Sequence, residues 1–149
     1  KEVIGGRFGP GGAHIRLEKP RRVGVLAGGL SDGVSLHQAG GSVLIRGKRV
    51  PVLGPVFLEH TSVDLDACPE AAAGDEALIL GRQGHEEIGL EELLQRWNRT
   101  LEEFWTALPA GLTRVYFENG APVAVGRGEQ VEWLERAAPS ENGKTLRRM

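Results

Sequence analysis

The sequence is poorest in sulfur, in aromatic rings and in any long apolar run. Cys68 is the only cysteine among 149 residues, so an internal disulfide is impossible, and one thiol does not furnish a zinc cluster. Such usage is expected of a cytoplasmic chain. Met149, the last residue, is the only methionine, and Lys1-Glu2-Val3 does not open a signal peptide, which leads to the expectation of an excised fragment. No stretch approaches the about 20 apolar residues needed to span a bilayer. Neither sign of charge dominates. With 18 basic and 20 acidic residues the formal net charge is −2, and the clustered lysine and arginine that phosphate backbones or anionic membranes attract are missing. Nucleic acid and membranes are therefore not expected as partners.

Several chemistries lack their residue patterns. The four histidines, His14, His37, His60 and His85, show neither His-x-His nor His-Glu-x-x-His spacing, so no metal site is expected. Asp64 and Asp66 would share one face of a strand, but nothing supplies the remaining ligands of a cation. Asp75 and Glu76 are adjacent; on a strand they would point to opposite faces, and they read as solvated turn acids. Ser31 beside Asp32 has no histidine at an informative spacing, which leaves a hydrolase triad unsupported. The run Gly5-Gly-Arg-Phe-Gly-Pro-Gly-Gly12 could cradle phosphate only ahead of a helix with a Gly-Lys-Ser/Thr ending, and it reads as a loop instead.

What is present is a chain of short valine-rich and leucine-rich runs cut by glycine and proline. The central one is Lys48-Arg-Val-Pro-Val-Leu-Gly-Pro-Val-Phe-Leu-Glu-His-Thr-Ser-Val-Asp-Leu65. Val50, Val52, Val56, Leu58, Val63 and Leu65 recur at period two around Gly54-Pro55, which predicts strand, kink and strand. Pro55 removes a ladder donor, so the sheet is expected to bend there. Upstream, Ser42-Val-Leu-Ile45 predicts a strand leading into a tight turn near Gly47. Val23-Gly-Val-Leu-Ala27 predicts another, followed by a loop through Leu30-Ser-Asp-Gly33, and Ala13–Leu17 alternates like a first strand. Ala77–Leu80 predicts a further strand.

From Leu90 the period changes. Leu90, Leu93, Leu94, Trp97 and Leu101 form one helical stripe, with Glu91 and Glu92 favouring the first turn. Thr100 and Glu103 have capping-box spacing ahead of a second helix carrying Phe104, Trp105 and Leu108. Trp97 and Trp105 are expected in the core rather than stacked on a ligand. Pro109-Ala-Gly111 ends that helix, Leu112–Phe117 predicts a strand, and Asn119-Gly120 predicts a hairpin into Ala121–Val125. Residues 129–136 admit a helix or a strand. At this length one ordinary domain is expected, burying about two-thirds of its unfolded surface.

The motifs Gly47-Lys-Arg-Val-Pro-Val-Leu-Gly54, Val56-Phe-Leu-Glu-His-Thr61 and Val63-Asp64 resemble the C-terminal β-domain of alanine racemases, whose pattern runs G-x-R-V-P-V-x-G-x-V-x-M-D-x-x-x-V-D. Val23–Gly33, Gly74-Asp-Glu76, Thr100–Leu108 and Leu112-Thr-Arg-Val-Tyr116 follow the same order. The resemblance covers roughly residues 5–118, and several collinear motifs are more specific than one short match. It implies a mostly β fold, an antiparallel barrel-like domain with a small two-helix insertion. Residues 1–20 would be linker and first strand, 21–136 the β-domain, and 137–149 a frayed tail.

The resemblance also implies a chemistry and marks departures from it. Family members racemise amino acids on pyridoxal phosphate, holding the cofactor through a lysine in an N-terminal barrel of about 250 residues. Their β-domain supplies a tyrosine base in G-Y-x-D-G, usually to a second subunit. Here Gly29, Ser31, Asp32 and Gly33 keep that loop, but Leu30 occupies the tyrosine position. Leucine has no ionisable group and is ruled out as a base. Leu58 and Glu59 stand for the family's Met-Asp pair at the substrate-binding edge, and a tyrosine that contacts cofactor phosphate falls near Ala110. His60, beside Glu59, is the one candidate for a replacement base, against its reading as a half-exposed loop residue.

Two functions follow as expectations. In the first, the chain is the C-terminal domain of an alanine-racemase-like protein, inactive alone, binding no cofactor by itself, with a barrel domain of the same protein or of a second subunit as partner and a homodimer possible. In the second, it is a non-catalytic β-domain serving as a protein-interaction or regulatory module.

Overall fold

The computed structural model describes residues 2–3, 6–8, 15–34 and 41–134, with 2–3, 6–8 and 15–16 described through their backbone only. The chain divides into two compact units, residues 1–108 and 109–149. In the first, the strands are β1 (Glu2–Val3), β2 (Gly6–Phe8), β3 (Ile15–Leu17), β4 (Arg21–Leu26), β5 (Ser42–Ile45), β6 (Lys48–Pro51), β7 (Thr61–Asp64), β8 (Ala77–Leu78), β9 (Gly81–Gln83) and β10 (Glu86–Ile88). Two helices follow, α1 (Leu90–Trp97) and α2 (Leu101–Ala107). Every pairing is antiparallel, in sheets ordered β1-β4-β7, β6-β5-β8, β2-β3 and β10-β9. Among the described residues, the bridge from Val52 to Val63 joins the sheets β1-β4-β7 and β6-β5-β8. The expected mostly antiparallel β fold with two short helices is what forms, as separate sheets and not one closed barrel among the described residues.

β5 is the strand on which the packing turns. Its side chains alternate, so Val43 and Ile45 join one core with Val50, Val52, Val63, Cys68 and Ala71, while Leu44 joins another with Val34, Val56, Ile88, Leu93, Trp97 and Phe104. Both faces are therefore buried, and each such aliphatic side chain contributes about 1.5–3 kcal/mol. The stripe on α1 lays Leu93 and Trp97 over Leu44, and the capping box at Thr100 starts α2, with Thr100 Oγ1 accepting from the Glu103 amide at 3.2 Å and the Glu103 carboxylate accepting from the Thr100 amide at 2.8 Å. Arg49 fastens this layer to β6: its guanidinium reaches Glu92 on α1 at 2.6 Å, Glu86 on β10 at 2.9 Å and the Glu87 carbonyl.

Several expectations are corrected. Residues 53–60 are not a strand: Gly54 takes φ +68°, Phe57 N–H closes a turn onto the His60 carbonyl at 3.0 Å, and of the apolar pair only Val56 is buried while Leu58 is 65% exposed. Leu65 starts a short 3-10 turn, so Asp64 and Asp66 do not share a strand face; both accept from Arg21, at 2.8 and 3.4 Å. The strand at Ala77 stops at Leu78, and a β9–β10 hairpin without a sequence expectation follows. Gly6–Phe8 pairs with β3 instead of forming a loop. Trp105 is 59% exposed, edge-on to Phe104 at 5.4 Å, because α2 presents only Phe104 fully to the core. Ala13, His14, His37 and the tail 137–149 lie outside the described residues.

The second unit is a meander of β11 (Thr113–Glu118), β12 (Ala121–Arg127) and β13 (Gln130–Trp133). Asn119 and Gly120 both adopt positive φ, 51° and 78°, the two-residue turn that matches strand twist. Residues 130–133 resolve the helix-or-strand alternative in favour of a strand.

Candidate functional site

Two segments meet at one edge of the first unit. β4 ends at Leu26, and after Gly28-Gly29 the chain forms a 3-10 turn over Leu30–Asp32 that closes with Gly33 at φ +84°. The Asp32 carboxylate accepts from the Gly29 amide at 2.9 Å, and the Val34 amide donates to the Gly29 carbonyl at 3.1 Å, so the turn is bonded within itself. It is also bonded to the 57–60 turn. Leu30 N–H donates to the Phe57 carbonyl at 2.9 Å, Ser31 N–H to the Leu58 carbonyl at 2.9 Å, and Ser31 Oγ to that same carbonyl at 2.6 Å. Thr61, buried at the start of β7, adds a hydroxyl bond to the Gly28 carbonyl at 2.7 Å.

The backbones approach closely because position 29 has no side chain: a Cβ there would stand 2.3 Å from the Phe57 oxygen. The order of motifs in the sequence marks the Gly29–Gly33 loop and the Leu58-Glu59 pair as counterparts of the family's site residues, but it carries no sign of the packing at Gly29 or of the Thr61 bond. β7 reads Thr-Ser-Val-Asp and is buried throughout, so the sequence holds polar residues at three of its four positions and nothing in it singles out Thr61.

The side chains that emerge are Leu30, half exposed, Leu58 and Glu59, both exposed, and His60, whose ring stacks on Phe57 with centroids 4.6 Å apart. Segments 27–34 and 56–61 contain no lysine, arginine or tyrosine. The Leu30 and Ser31 amides are already engaged by carbonyls, so this edge offers no covalent holder and no ready anion cradle from those two groups. Elsewhere, Asp75 is paired with Arg46 at 2.6 and 2.9 Å, which holds its carboxyl down at about 2, and Glu76 faces Gln83. His85 is exposed in the turn between β9 and β10. Among the described residues no group of three or more His, Cys, Asp or Glu side chains converges, and no helix is long and apolar enough to cross a membrane.

Residues 10–116 match the family described as alanine racemase, C-terminal domain. The chain belongs to this family. Among its relatives, the alanine racemase of Desulfosudis oleivorans is 35% identical over 117 residues, 78% of this chain and 30% of that protein. That of Methylacidiphilum infernorum is 38% identical over 106 residues, 70% of this chain and 27% of the relative. In three dimensions the alanine racemase of Bacillus anthracis, solved with bound L-Ala-P, superposes with a TM-score of 0.74 at 28% identity, over 85% of this chain and 32% of that one. The chain thus spans about a third or less of the relatives it matches. Membership implies pyridoxal phosphate in a full-length protein, yet the residues present at the 30/58 edge do not fit a role in holding it.

Proposed function

We propose that this chain is the C-terminal β-domain of an alanine-racemase-like amino-acid racemase, inactive on its own, that builds the rim of the site without contributing the family's tyrosine base. Its partner is an N-terminal barrel domain, of the same protein or of a second subunit. The reading rests on Leu30. Its amide is tied to the Phe57 carbonyl in a bonded turn, and its side chain projects half exposed beside Leu58. A racemase that removes a proton on one face and returns one on the other needs an ionisable atom at such a position, and leucine has none.

A second reading, a non-catalytic interaction module, is favoured by the same two exposed leucines, since apolar side chains at a rim serve contact better than proton transfer. A chimera separates the two. Residues 21–118 replace the matching segment of the Desulfosudis oleivorans alanine racemase, and racemisation is assayed with and without Leu30→Tyr. The racemase-rim reading expects a folded, inactive chimera that regains turnover with tyrosine. A folded chimera that stays inactive with tyrosine supports the interaction module. Turnover with leucine in place, lost on His60→Ala, would assign the base to His60 instead.

The isolated chain gives a simpler control. Mixed with pyridoxal phosphate and alanine, it is expected to form no stoichiometric visible-absorbance adduct at a single lysine and to show no turnover; a unique adduct would contradict the reading.

A further inference from the structure

At the edge where the 29–33 and 57–60 turns meet, nearly every polar side chain is already spent. The Asp32 carboxylate is turned back onto the Gly29 amide at 2.9 Å, the Ser31 and Thr61 hydroxyls hold the Leu58 and Gly28 carbonyls at 2.6 and 2.7 Å, and the His60 ring stacks on Phe57. Glu59 is the exception. Its side chain is exposed, and among the described residues its carboxylate makes no hydrogen bond or ion pair. Neither segment, 27–34 or 56–61, holds a lysine or arginine to neutralise it. Leu58, its neighbour in the chain, is 65% exposed, and the bonds between the turns set Leu58 across from Leu30, 50% exposed. The edge therefore presents one free carboxylate beside a short apolar shelf.

That combination is selective. In water an exposed carboxylate needs no partner, but a domain laid over the edge strips its water, and a carboxylate desolvated without a cation is strongly disfavoured. An anionic group would add a like charge, and a short apolar one would leave Glu59 unmatched. A straight aliphatic stem ending in a cation matches both parts, since its methylenes lie along the leucine side chains while its charged head meets a carboxylate oxygen. We propose that Glu59 determines specificity in the racemase rim proposed for this chain, on which this step rests, and that the amino acid served there carries a basic side chain, an ammonium or guanidinium on an aliphatic stem. Leu30 and Leu58 line the stem and Glu59 takes the cation. Glu59 meets the far end of the substrate and has no part in moving the α-proton.

Amide resonances of the isotope-labelled 149-residue chain test this in a titration with L-lysine and, separately, with L-norleucine, which has the same carbon stem without the terminal ammonium. At fixed pH and ionic strength, lysine is expected to shift residues 30–33 and 57–60 saturably in the millimolar range, and norleucine to shift them much less. Glu59→Gln should weaken lysine binding about threefold or more, the scale of a partly exposed ion pair. Leu58→Ser should weaken both ligands. Both positions are exposed, so both variants are expected to fold. In the chimera carrying Leu30→Tyr, where the face of a phenol ring keeps an apolar wall at position 30, Glu59→Gln should lower kcat/KM for lysine relative to alanine by a similar factor. The inference is overturned if lysine and norleucine act alike on the chain, or if Glu59→Gln binds lysine like the parent. It falls alone, with the racemase rim intact, if the chimera racemises alanine and Glu59→Gln leaves the lysine-to-alanine ratio unmoved, which assigns Glu59 to a cation of the barrel. A tyrosine-bearing chimera that racemises neither amino acid overturns the racemase rim and this inference with it, whatever the titration shows.

Discussion

A methyl group at Gly29 would stand 2.3 Å from the carbonyl oxygen of Phe57 and 2.6 Å from that of Leu58. Gly29 has φ −150°, an extended value open to any residue, so contact alone and not backbone strain demands glycine there. Gly28, one residue earlier, has nothing within 4 Å of its would-be Cβ. Gly29→Ala is therefore expected to destabilise by about 3 kcal/mol, since rigid backbone atoms must move apart, whereas Gly28→Ala stays within about 0.5 kcal/mol. Thermal melting of the two variants side by side checks this, and equal losses would mean the turns are not held together as described.

Arg49 makes the second testable contact set. A guanidinium on β6 that reaches Glu86, Glu92 and the Glu87 carbonyl holds strand, hairpin and helix with one side chain. Its side chain is about a third exposed, so each pair is partly screened. Arg49→Ala is expected to cost about 2 kcal/mol in urea unfolding. Arg49→Lys should recover less than half of it, because an ammonium lacks the planar fork that serves several acceptors at once. Full recovery by lysine would reduce the site to simple charge.

Acid sensitivity follows from the carboxylates. Arg46 holds Asp75 down at about 2 from an ordinary 3.8, and Arg49 and Lys48 hold Glu92 and Glu70 below their ordinary 4.5. Carboxyls depressed in the folded state stabilise it fully above their unfolded values and lose that contribution as pH falls through the folded ones. The melting temperature should therefore be insensitive to these groups above about pH 5 and fall between about pH 4.5 and 2. Asp75→Asn is expected to melt lower than the parent at pH 7, with the gap closing toward pH 2 as the parent's Asp75 takes up its proton. A gap that widens on acidification would have the wrong sign for this pairing.

Much of this architecture is legible in the residues because local signals agree with tertiary ones. Leu90 through Trp97 carries a helical stripe, Thr100 and Glu103 form a capping box, and Asn119-Gly120 closes a hairpin as their types require; Leu101 leaves the expected stripe, because Asn98 at φ 49° ends α1 and Leu101 opens α2 in an exposed position. The segment 53–60 misleads because Val56 and Leu58 continue a period-two pattern that a turn can equally display. The left-handed Gly54 and the missing donor of Pro55 decide the matter, and Leu58 ends in solvent. The β9–β10 hairpin has almost no apolar alternation to read; it is held by polar pairs, with Arg82 directly opposite Glu87 and bonded to it at 2.5 Å. The edge carrying Leu30 and Leu58 was readable only through the order of motifs. Bonds between two turns far apart in sequence leave no periodicity, and the close packing at Gly29 shows only once both backbones are in place.

Leu30→Tyr tests that edge without any assay of catalysis. Leu30 is half exposed, and the bonds that place it run from its amide to Phe57, so they survive any change of side chain. A phenol ring has open solvent to enter and need not displace core atoms. The variant is expected to fold with a stability within about 0.5 kcal/mol of the parent, because surface substitutions away from caps and buried networks rarely do more. Its phenol should titrate as an accessible tyrosine in ultraviolet difference spectra, whereas an enclosed one would ionise only with unfolding. A loss of several kcal/mol, of the kind produced by overpacking a core, would show that the side chain at position 30 points inward, and the assignment of this turn to the family's tyrosine loop would fall with it.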